Sequence, residues 1–336
     1  YAEILLAVSE NEEDLNHKYG QPIHLARLFD TIAGTSTGGI IGLALAAPVK
    51  EEGSDLKGYT ARTTVDLYQN QGDKIFPGGG LDFWKKLKKV AKTSYKPEPL
   101  EEILEEKFHN ISFHKATTRV IIPSYDLIAN APYVFDSADA KKPTKNFKMK
   151  DIARATSAAP TYFTAAKLQN KRGDTKTFID GGVTINNPTE EAYNRTRYAK
   201  PDKKYLIISL GTGESPPPTL DSLEKKGGAA WAAPLTSLMM TAASQFVDQR
   251  LQAQQEAGHI DYLRIQPTLN PDNQELDFTD KSNIDKLKSY ADSISNGMDR
   301  VNYPKYKALI RHLEKRLLER GITPKKVLDT DAIINL

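Results

Sequence analysis

A serine enclosed by glycines is the feature of this sequence best suited to chemistry. Residues 34–39 read Gly-Thr-Ser-Thr-Gly-Gly, which places Ser36 at the centre of a G-x-S-x-G pentapeptide. A strand-like run precedes it and a helix-like run rich in Ile, Leu and Ala follows it, as a nucleophile elbow requires. Gly34 and Gly38 supply the small residues that let strand and helix cross closely. The pattern predicts a nucleophilic serine, and a small-residue turn without chemistry is the alternative.

The helix predicted after Ser36 would also stabilise negative charge. Its N-terminus points at the oxyanion that develops during acyl transfer, and the backbone N–H of Thr37 can donate to that oxygen. Gly39, the second glycine of the pair, extends the turn support that Gly34 and Gly38 provide. The segment therefore predicts both a nucleophile and part of an oxyanion hole.

A serine becomes a good nucleophile only when a base takes its proton, and Asp180 is the first candidate for that base. It follows the strand-like run 175–179 and precedes Gly181 and Gly182. Active groups of open α/β sheets collect at the carboxyl ends of strands. Because an Asp-Gly-Gly sequence by itself is more often an ordinary turn, other motifs must support this assignment.

The two motifs together resemble the patatin-like phospholipase family, whose catalytic dyad is the Ser of G-x-S-x-G and the Asp of D-G-G/A. Further similar segments occur in the family's order at residues 155–163, 186–188, 206–213 and 261–266. The resemblance implies Ser36 as nucleophile and Asp180 as base, with no histidine in the catalytic pair. It also implies a three-layer α/β/α sandwich with a central, mostly parallel sheet, in a single domain covering residues 1–336.

The activity implied by the resemblance is lipid acyl hydrolysis of the phospholipase A type. The acyl chain of a phospholipid or other acyl lipid would pass to Ser36, and water would then hydrolyse the acyl-enzyme. An aspartate near its reference pKa of about 3.9 is a weak base. Burial must therefore raise the pKa of Asp180, or the oxyanion donors must carry most of the catalysis. No cofactor is implied.

One family motif is absent from this sequence. The family has a glycine-rich D-G-G-G-x-R-G loop after its first strand, and the backbone N–H groups of that loop form the oxyanion hole. No such motif precedes Gly34, and the glycine run 78–80 comes after the serine, where it indicates a surface loop. Because Tyr1 falls where the helix after that loop would be, we expect the first strand and the oxyanion loop to lie upstream of Tyr1.

Short apolar runs alternating with helix-like segments predict the layered sheet that would position these residues. The runs suited to buried parallel strands are residues 29–36, 118–126, 175–182, 204–213 and 261–267. The helix-like segments are residues 97–108, 234–258 and 303–322, with the C-terminal helices starting at about residue 281. The stretches 76–80 and 213–228, rich in Gly or Pro, do not separate two complete sets of strands, which favours one domain with surface insertions.

Two other classes of function stay open. A Ser-His-Asp esterase acting on small esters would need an essential histidine, and His259 and His312 follow Ser36 in the chain order of α/β-hydrolase triads. Surface or capping roles suit these two histidines better. A regulated or non-catalytic patatin-like effector is the other class, although the sequence identifies neither a regulatory small molecule nor an oligomeric state. No histidine pair has metal-ligand spacing, and we expect no catalytic metal.

Residues 81–92 combine aromatic and basic side chains at helical spacing. An apolar stripe lies beside a basic one, which is typical of an interfacial helix on anionic lipid. The residues concerned are Phe83, Trp84, Lys85, Lys86, Lys88 and Lys89. We expect peripheral membrane contact here, and an ordinary surface helix with solvated lysines is an equally good alternative.

The composition limits the class of protein. The chain has 336 residues, of which 39% are hydrophobic and 26% charged, as in ordinary folded domains. A formal net charge of +3 is too small to indicate a nucleic-acid polymer as partner. The absence of cysteine excludes disulfides and thiolate nucleophiles. No apolar run approaches the length of a spanning helix, so we expect a cytoplasmic or peripheral-membrane protein, with secretion left open.

Overall fold

The structure is a computed structural model, and it describes most but not all of the chain. The described residues are 18, 24–49, 58–61, 63–64, 95–160, 162–213, 232–268, 281–319 and 321–323. The proposed membrane-contact segment 81–92 lies outside the described residues, as do the glycine run 78–80 and residues 214–231. The single domain over residues 1–336 stays a prediction.

The helices of the described residues include the one predicted after Ser36 and the three predicted at residues 97–108, 234–258 and 303–322. They are α1 (Thr37–Ala46), α2 (Glu98–Phe108), α3 (Met149–Thr156), α4 (Thr189–Ala199), α5 (Ala232–Glu256), α6 (Lys281–Ser295) and α7 (Tyr303–Glu319). Helices α2, α5 and α7 correspond to the predicted segments. The chain turns with positive φ at Gly258 and Gly321, shortly after α5 and α7 end, as expected for glycine just beyond a helix C-terminus.

The strands form one larger mixed sheet and one smaller parallel pair. They are β1 (Thr31–Ala33), β2 (Arg119–Asp126), β3 (Ala131–Asp136), β4 (Ala166–Gln169), β5 (Thr175–Asp180), β6 (Tyr205–Leu210) and β7 (Ile260–Ile265). In the larger sheet, β1 is parallel to β2, β3 and β5 are antiparallel to β2, and β4 is antiparallel to β5. Strands β1, β2 and β4 therefore share one direction. Helices flank this sheet, which confirms the predicted α/β fold class.

One of the predicted parallel strands runs the other way. The sequence run 175–182 was expected to be a parallel strand, but β5 pairs antiparallel with both β2 and β4. Strands β3 and β4, which the sequence analysis did not predict, flank β2 and β5. The runs 204–213 and 261–267 do contain a parallel pair, β6 and β7.

Helix α1 is almost entirely buried. Nine of its ten residues are buried, because the sequence after Ser36 is apolar on every face of the helix. Ile40 and Leu43 pack into one hydrophobic cluster with α2 and α3, and Ile41 and Leu45 pack into a second with α7. The helix that begins at the candidate nucleophile is therefore held between two cores.

Helix α4 connects the two sheets. The hydroxyl of Thr196 is 3.2 Å from the hydroxyl of Thr31 in β1, and the backbone oxygen of Thr196 accepts a hydrogen bond of 3.3 Å from the Tyr205 hydroxyl in β6. Tyr193, also on α4, packs edge-on against Tyr205. Side chains and backbone of one helix thus link β1 with β6.

Candidate active site

Ser36 occupies a strained turn between β1 and α1. Its φ of 55° and ψ of −124° lie in a region that residues with a Cβ rarely adopt. The turn is also tight, since a Cβ added to Gly34 would lie 2.0 Å from the backbone oxygen of Gly38. A strained residue between a strand and a helix, with no room for a side chain at Gly34, is the geometry that a nucleophile elbow requires.

The other predicted turn residues surround the serine. Thr37 is the first residue of α1, so its N–H belongs to the helix N-terminus. The backbone oxygen of Ser36 accepts hydrogen bonds from the N–H groups of Gly39 and Ile40, at 2.8 and 3.1 Å. A Cβ on Gly39 would lie 2.8 Å from the Thr156 methyl group, so this glycine marks a close approach of α1 to α3. The Ser36 side chain itself is partly exposed.

Asp180 is the last residue of β5, and the antiparallel course of this strand explains how it reaches the serine. Strand β1 pairs with residues 119–121 of β2, and β5 pairs with residues 124–126. Strand β3 pairs with residues 121–126 along one edge of β2, so β1 and β5 both lie along the other edge. The carboxyl ends of β1 and β5 therefore point towards each other, separated by three residues of β2, about 10 Å. Ser36 and Asp180 lie in the space between these two ends.

The carboxylate of Asp180 is buried, with 5% of the residue exposed. Its Oδ1 accepts a hydrogen bond of 2.7 Å from the N–H of Gly182, and the Ser36 side chain lies near enough to stabilise the ionised carboxylate. Burial raises the pKa of Asp180 to about 6, although the Ser36 side chain and the Gly182 N–H favour the charged form and lower the pKa. This carboxyl group is a stronger base than an exposed aspartate and is still mostly ionised at pH 7.

The two glycines after Asp180 fit the turn closely. A Cβ on Gly181 would lie 2.4 Å from the backbone oxygen of Pro123 in β2, so a side chain is excluded there. Gly182 donates its N–H to Asp180 and lies beside the side chains of Met240 and Asn186. The two glycines therefore allow the chain after β5 to pack closely against β2, and the second of them donates its N–H to the Asp180 carboxylate.

The histidines that could complete a triad are not in this site. His259 is hydrogen-bonded to Gln254 at 2.9 Å, and His312 lies on α7. Within the described residues, neither makes a hydrogen bond to Ser36 or Asp180. The site that the structure assembles from the sequence-predicted residues is a serine–aspartate pair.

Thr156 lies within residues 155–163, which contribute to the family resemblance, but no sequence pattern predicts a role for it. The structure places the Thr156 hydroxyl 3.0 Å from the backbone nitrogen of Ser36. No local pattern marks this contact, because 120 residues separate the two positions.

Metal binding and membrane spanning find no support in the described part of the chain. No group of three or more His, Asp or Glu side chains there is placed to hold a metal ion. Among the same residues, no helix combines the length and the apolar character needed to cross a bilayer.

Fold and site together define an α/β protein with a strained serine between a strand and a helix and a buried aspartate beside it, and comparisons with known proteins give the family. The family model described as patatin-like phospholipase matches residues 22–193. Patatin-like protein 2 of Arabidopsis thaliana is 32% identical, over 84% of this chain and 77% of its own length. Patatin-T5 of Solanum tuberosum is 29% identical, over 88% of this chain and 81% of its own. This chain belongs to the patatin-like phospholipase family.

Family membership supports lipid acyl hydrolysis as the general activity. Another similar protein, "Probable inactive patatin-like protein 9" of Arabidopsis thaliana, is 28% identical over 76% of this chain and 68% of its own length. A solved structure, VipD from Legionella pneumophila, covers 87% of this chain and 64% of its own at 11% identity, with a TM-score of 0.27.

The raised pKa of Asp180 predicts that this residue destabilises the folded protein at neutral pH. The pKa rises from 3.8 to about 6 on folding, so the folded protein binds the proton more tightly and loses stability as the pH rises through this range. Above pH 6 the penalty is about 3 kcal/mol at most. We expect Asp180→Asn to increase the free energy of unfolding at pH 8 by about 1–3 kcal/mol, measured by urea denaturation.

The increase in the free energy of unfolding caused by Asp180→Asn should shrink as the pH falls from 6 towards 4. Over this range the wild-type carboxyl group becomes neutral in the folded protein. A variant that is less stable than the wild type at pH 8, with an unchanged pH dependence, would show that the Asp180 carboxylate is not held in an unfavourable environment.

Proposed function

We propose that this protein is a lipid acyl hydrolase of the phospholipase A type, with Ser36 as nucleophile and Asp180 as general base. The observation that carries the proposal is the contact between the strained Ser36 and the buried Asp180, whose pKa is about 6. A catalytic base is most effective when its pKa lies near the working pH. Burial moves the pKa of this aspartate in that direction.

The acylation step uses each part of the pair. Asp180 accepts the proton of the Ser36 hydroxyl while Oγ attacks the carbonyl carbon of the lipid ester. The tetrahedral intermediate collapses, the bond to the alcohol oxygen breaks, and the protonated Asp180 returns its proton to the leaving alkoxide. The products of this step are acyl-Ser36 and the deacylated lipid.

The deacylation step repeats the same chemistry with water. Asp180, again ionised, takes a proton from a water molecule that attacks the acyl-Ser36 carbonyl carbon, and returns the proton to Ser36 Oγ as the fatty acid leaves. The N-terminus of α1 stabilises the oxyanion in both steps, with Thr37 N–H as the donor next to the nucleophile. The family's glycine-rich oxyanion loop does not occur in this sequence. The backbone N–H of Thr37 is the oxyanion donor that we assign among the residues present.

The proposed substrates are phospholipids or other acyl lipids, by analogy with the family description. A lipid hydrolase must meet its substrate at an interface, and residues 81–92 are the segment proposed for peripheral membrane contact. That contact stays a prediction from sequence, because the segment lies outside the described residues.

Replacing the nucleophile provides the direct test of this proposal. We expect Ser36→Ala to abolish hydrolysis of phospholipid vesicles and of p-nitrophenyl esters, because the attacking oxygen is lost. Covalent labelling by a fluorophosphonate should disappear with it, while the far-ultraviolet circular dichroism spectrum stays that of the wild type. Ser289→Ala, on the exposed side of α6, is the matched control and should label fully. Labelling that persists in Ser36→Ala would place the nucleophile elsewhere.

The pH dependence of hydrolysis tests the assignment of the base. Because Asp180 must be ionised to accept a proton, kcat/KM for a soluble p-nitrophenyl ester should rise with pH through an inflection near 6 and then level off. At pH 5 the rate should be about one tenth of the plateau, since about that fraction of the carboxyl groups is ionised.

Asp180→Asn should be nearly as damaging as Ser36→Ala, and His259→Ala and His312→Ala should be close to neutral. A loss of about a thousandfold in either histidine variant, equivalent to about 4 kcal/mol of activation free energy, would favour a Ser-His-Asp esterase instead.

A further inference from the structure

The strained backbone of Ser36 needs contacts that hold it in place, because such a conformation persists only when its surroundings determine it. Each residue of the turn, from Gly34 to Ser36, makes one such hydrogen bond. Gly34 donates its N–H to the Ile121 oxygen of β2 at 3.2 Å, and the Thr35 hydroxyl donates to the Ile185 oxygen at 2.8 Å. The N–H of Ser36 itself donates to a side chain, the hydroxyl of Thr156, at 3.0 Å.

The Thr156 hydroxyl is fixed in orientation. Thr156 is fully buried at the C-terminal end of α3, and its hydroxyl donates to the backbone oxygen of Pro123 at 2.7 Å. A hydroxyl has only one hydrogen, so donation to Pro123 leaves a lone pair for the N–H of Ser36. The methyl group of Thr156 contacts Gly39, which limits rotation of the side chain from the other direction.

The same short segment also holds the aspartate. Two residues after Thr156, the backbone oxygen of Ala158 accepts a hydrogen bond of 3.0 Å from the N–H of Asp180. The Pro123 oxygen, which accepts from Thr156, is packed directly against Gly181 of the Asp-Gly-Gly turn. The end of α3 therefore binds the backbone nitrogens of both members of the pair, one through a hydroxyl and one through a carbonyl.

We propose that Thr156 is a positioning residue that fixes Ser36 relative to Asp180. This inference rests on the proposed function, since it concerns the distance over which Asp180 takes the serine proton. Proton transfer requires the two oxygens to be within hydrogen-bonding reach, and a misplacement of about 1 Å can lower the rate about a hundredfold. Being buried, Thr156 does not touch the substrate, so its effect is on kcat.

Two substitutions with different chemistry separate the hydroxyl from the packing of Thr156. Thr156→Val keeps the shape and removes the hydrogen bonds, whereas Thr156→Ser keeps the hydroxyl and removes the methyl group. With a soluble p-nitrophenyl ester, we expect Thr156→Val to lower kcat about 10- to 100-fold with KM changed less than about twofold. Thr156→Ser should recover most of this turnover.

A matched control accounts for the general loss of a buried threonine hydroxyl. Thr196→Val makes the same substitution on α4, where the hydroxyl contacts Thr31 and not the catalytic pair. We expect this variant to retain wild-type kcat even where its melting temperature falls. The inflection should move above pH 6 in Thr156→Val while the plateau drops, because a displaced Ser36 no longer lowers the pKa of the buried Asp180 to the same extent.

A second pair of variants tests the position of the hydroxyl without removing it, and serves even where Thr156→Val does not fold. A Cβ on Gly39 would meet the Thr156 methyl group at 2.8 Å, so Gly39→Ala should displace Thr156 and lower kcat. Serine lacks that methyl group and removes the closest contact of the new Cβ, while the Gly34 oxygen at 3.2 Å and an Ile122 methyl group at 3.3 Å remain. The double variant Gly39→Ala, Thr156→Ser should therefore turn over faster than Gly39→Ala alone.

Different results would contradict the proposed function and the positioning role of Thr156. An inactive wild-type protein, or fluorophosphonate labelling that survives Ser36→Ala, contradicts the serine–aspartate mechanism itself. In an active protein, wild-type kcat for Thr156→Val, an equal loss in Thr156→Ser and Thr156→Val, or no recovery in the double variant would each overturn the positioning role. Reduced kcat in Thr156→Val with recovery in Thr156→Ser and in the double variant supports it.

Discussion

The left-handed backbone at Ser36 is the constraint to which the surrounding structure is adapted. A non-glycine residue in such a conformation costs about 1–3 kcal/mol, which the neighbouring contacts must offset. The turn admits no Cβ at Gly34, and α1, which follows at once, is buried between two hydrophobic clusters. Because strand, turn and helix are each held independently, the serine is presented at the start of the helix in a single orientation.

The aspartate depends on a second constraint, the sharing of one side of β2 by two strands. Strand β1 pairs with residues 119–121 of β2 and β5 pairs with residues 124–126. The two strands run towards each other, so their carboxyl ends face one another. The gap between their ends is enclosed by β2 on one side and by the end of α3 on another. Asp180 is buried there, so desolvation raises its pKa, and the partners present are the Gly182 N–H and Ser36. The same burial that would suit Asp180 to the proposed role of base costs stability, as functional sites commonly do.

The sequence predicted the features whose signals are local. The G-x-S-x-G turn, the amphipathic or glycine-terminated helices α2, α5 and α7, and the strand ending at Asp180 all depend on residues close together in the chain. Strands β3 and β4 were missed, and β5 was assigned the wrong direction, because strand pairing is decided by partners far away in sequence. Thr156 was missed for the same reason, since a buried threonine at the end of a helix is unremarkable until Ser36 and Pro123 are brought to it.

Trapping the covalent intermediate tests the serine–aspartate mechanism most directly. A p-nitrophenyl ester is mixed with the protein, and the reaction is quenched with acid during the first turnover. The protein is then digested, and the masses of its peptides are measured by mass spectrometry. The mechanism predicts an added acyl mass on the peptide that contains Ser36, forming far more slowly in Asp180→Asn. An acyl group on any other residue, or a burst of p-nitrophenol with Ser36 unmodified, would contradict it.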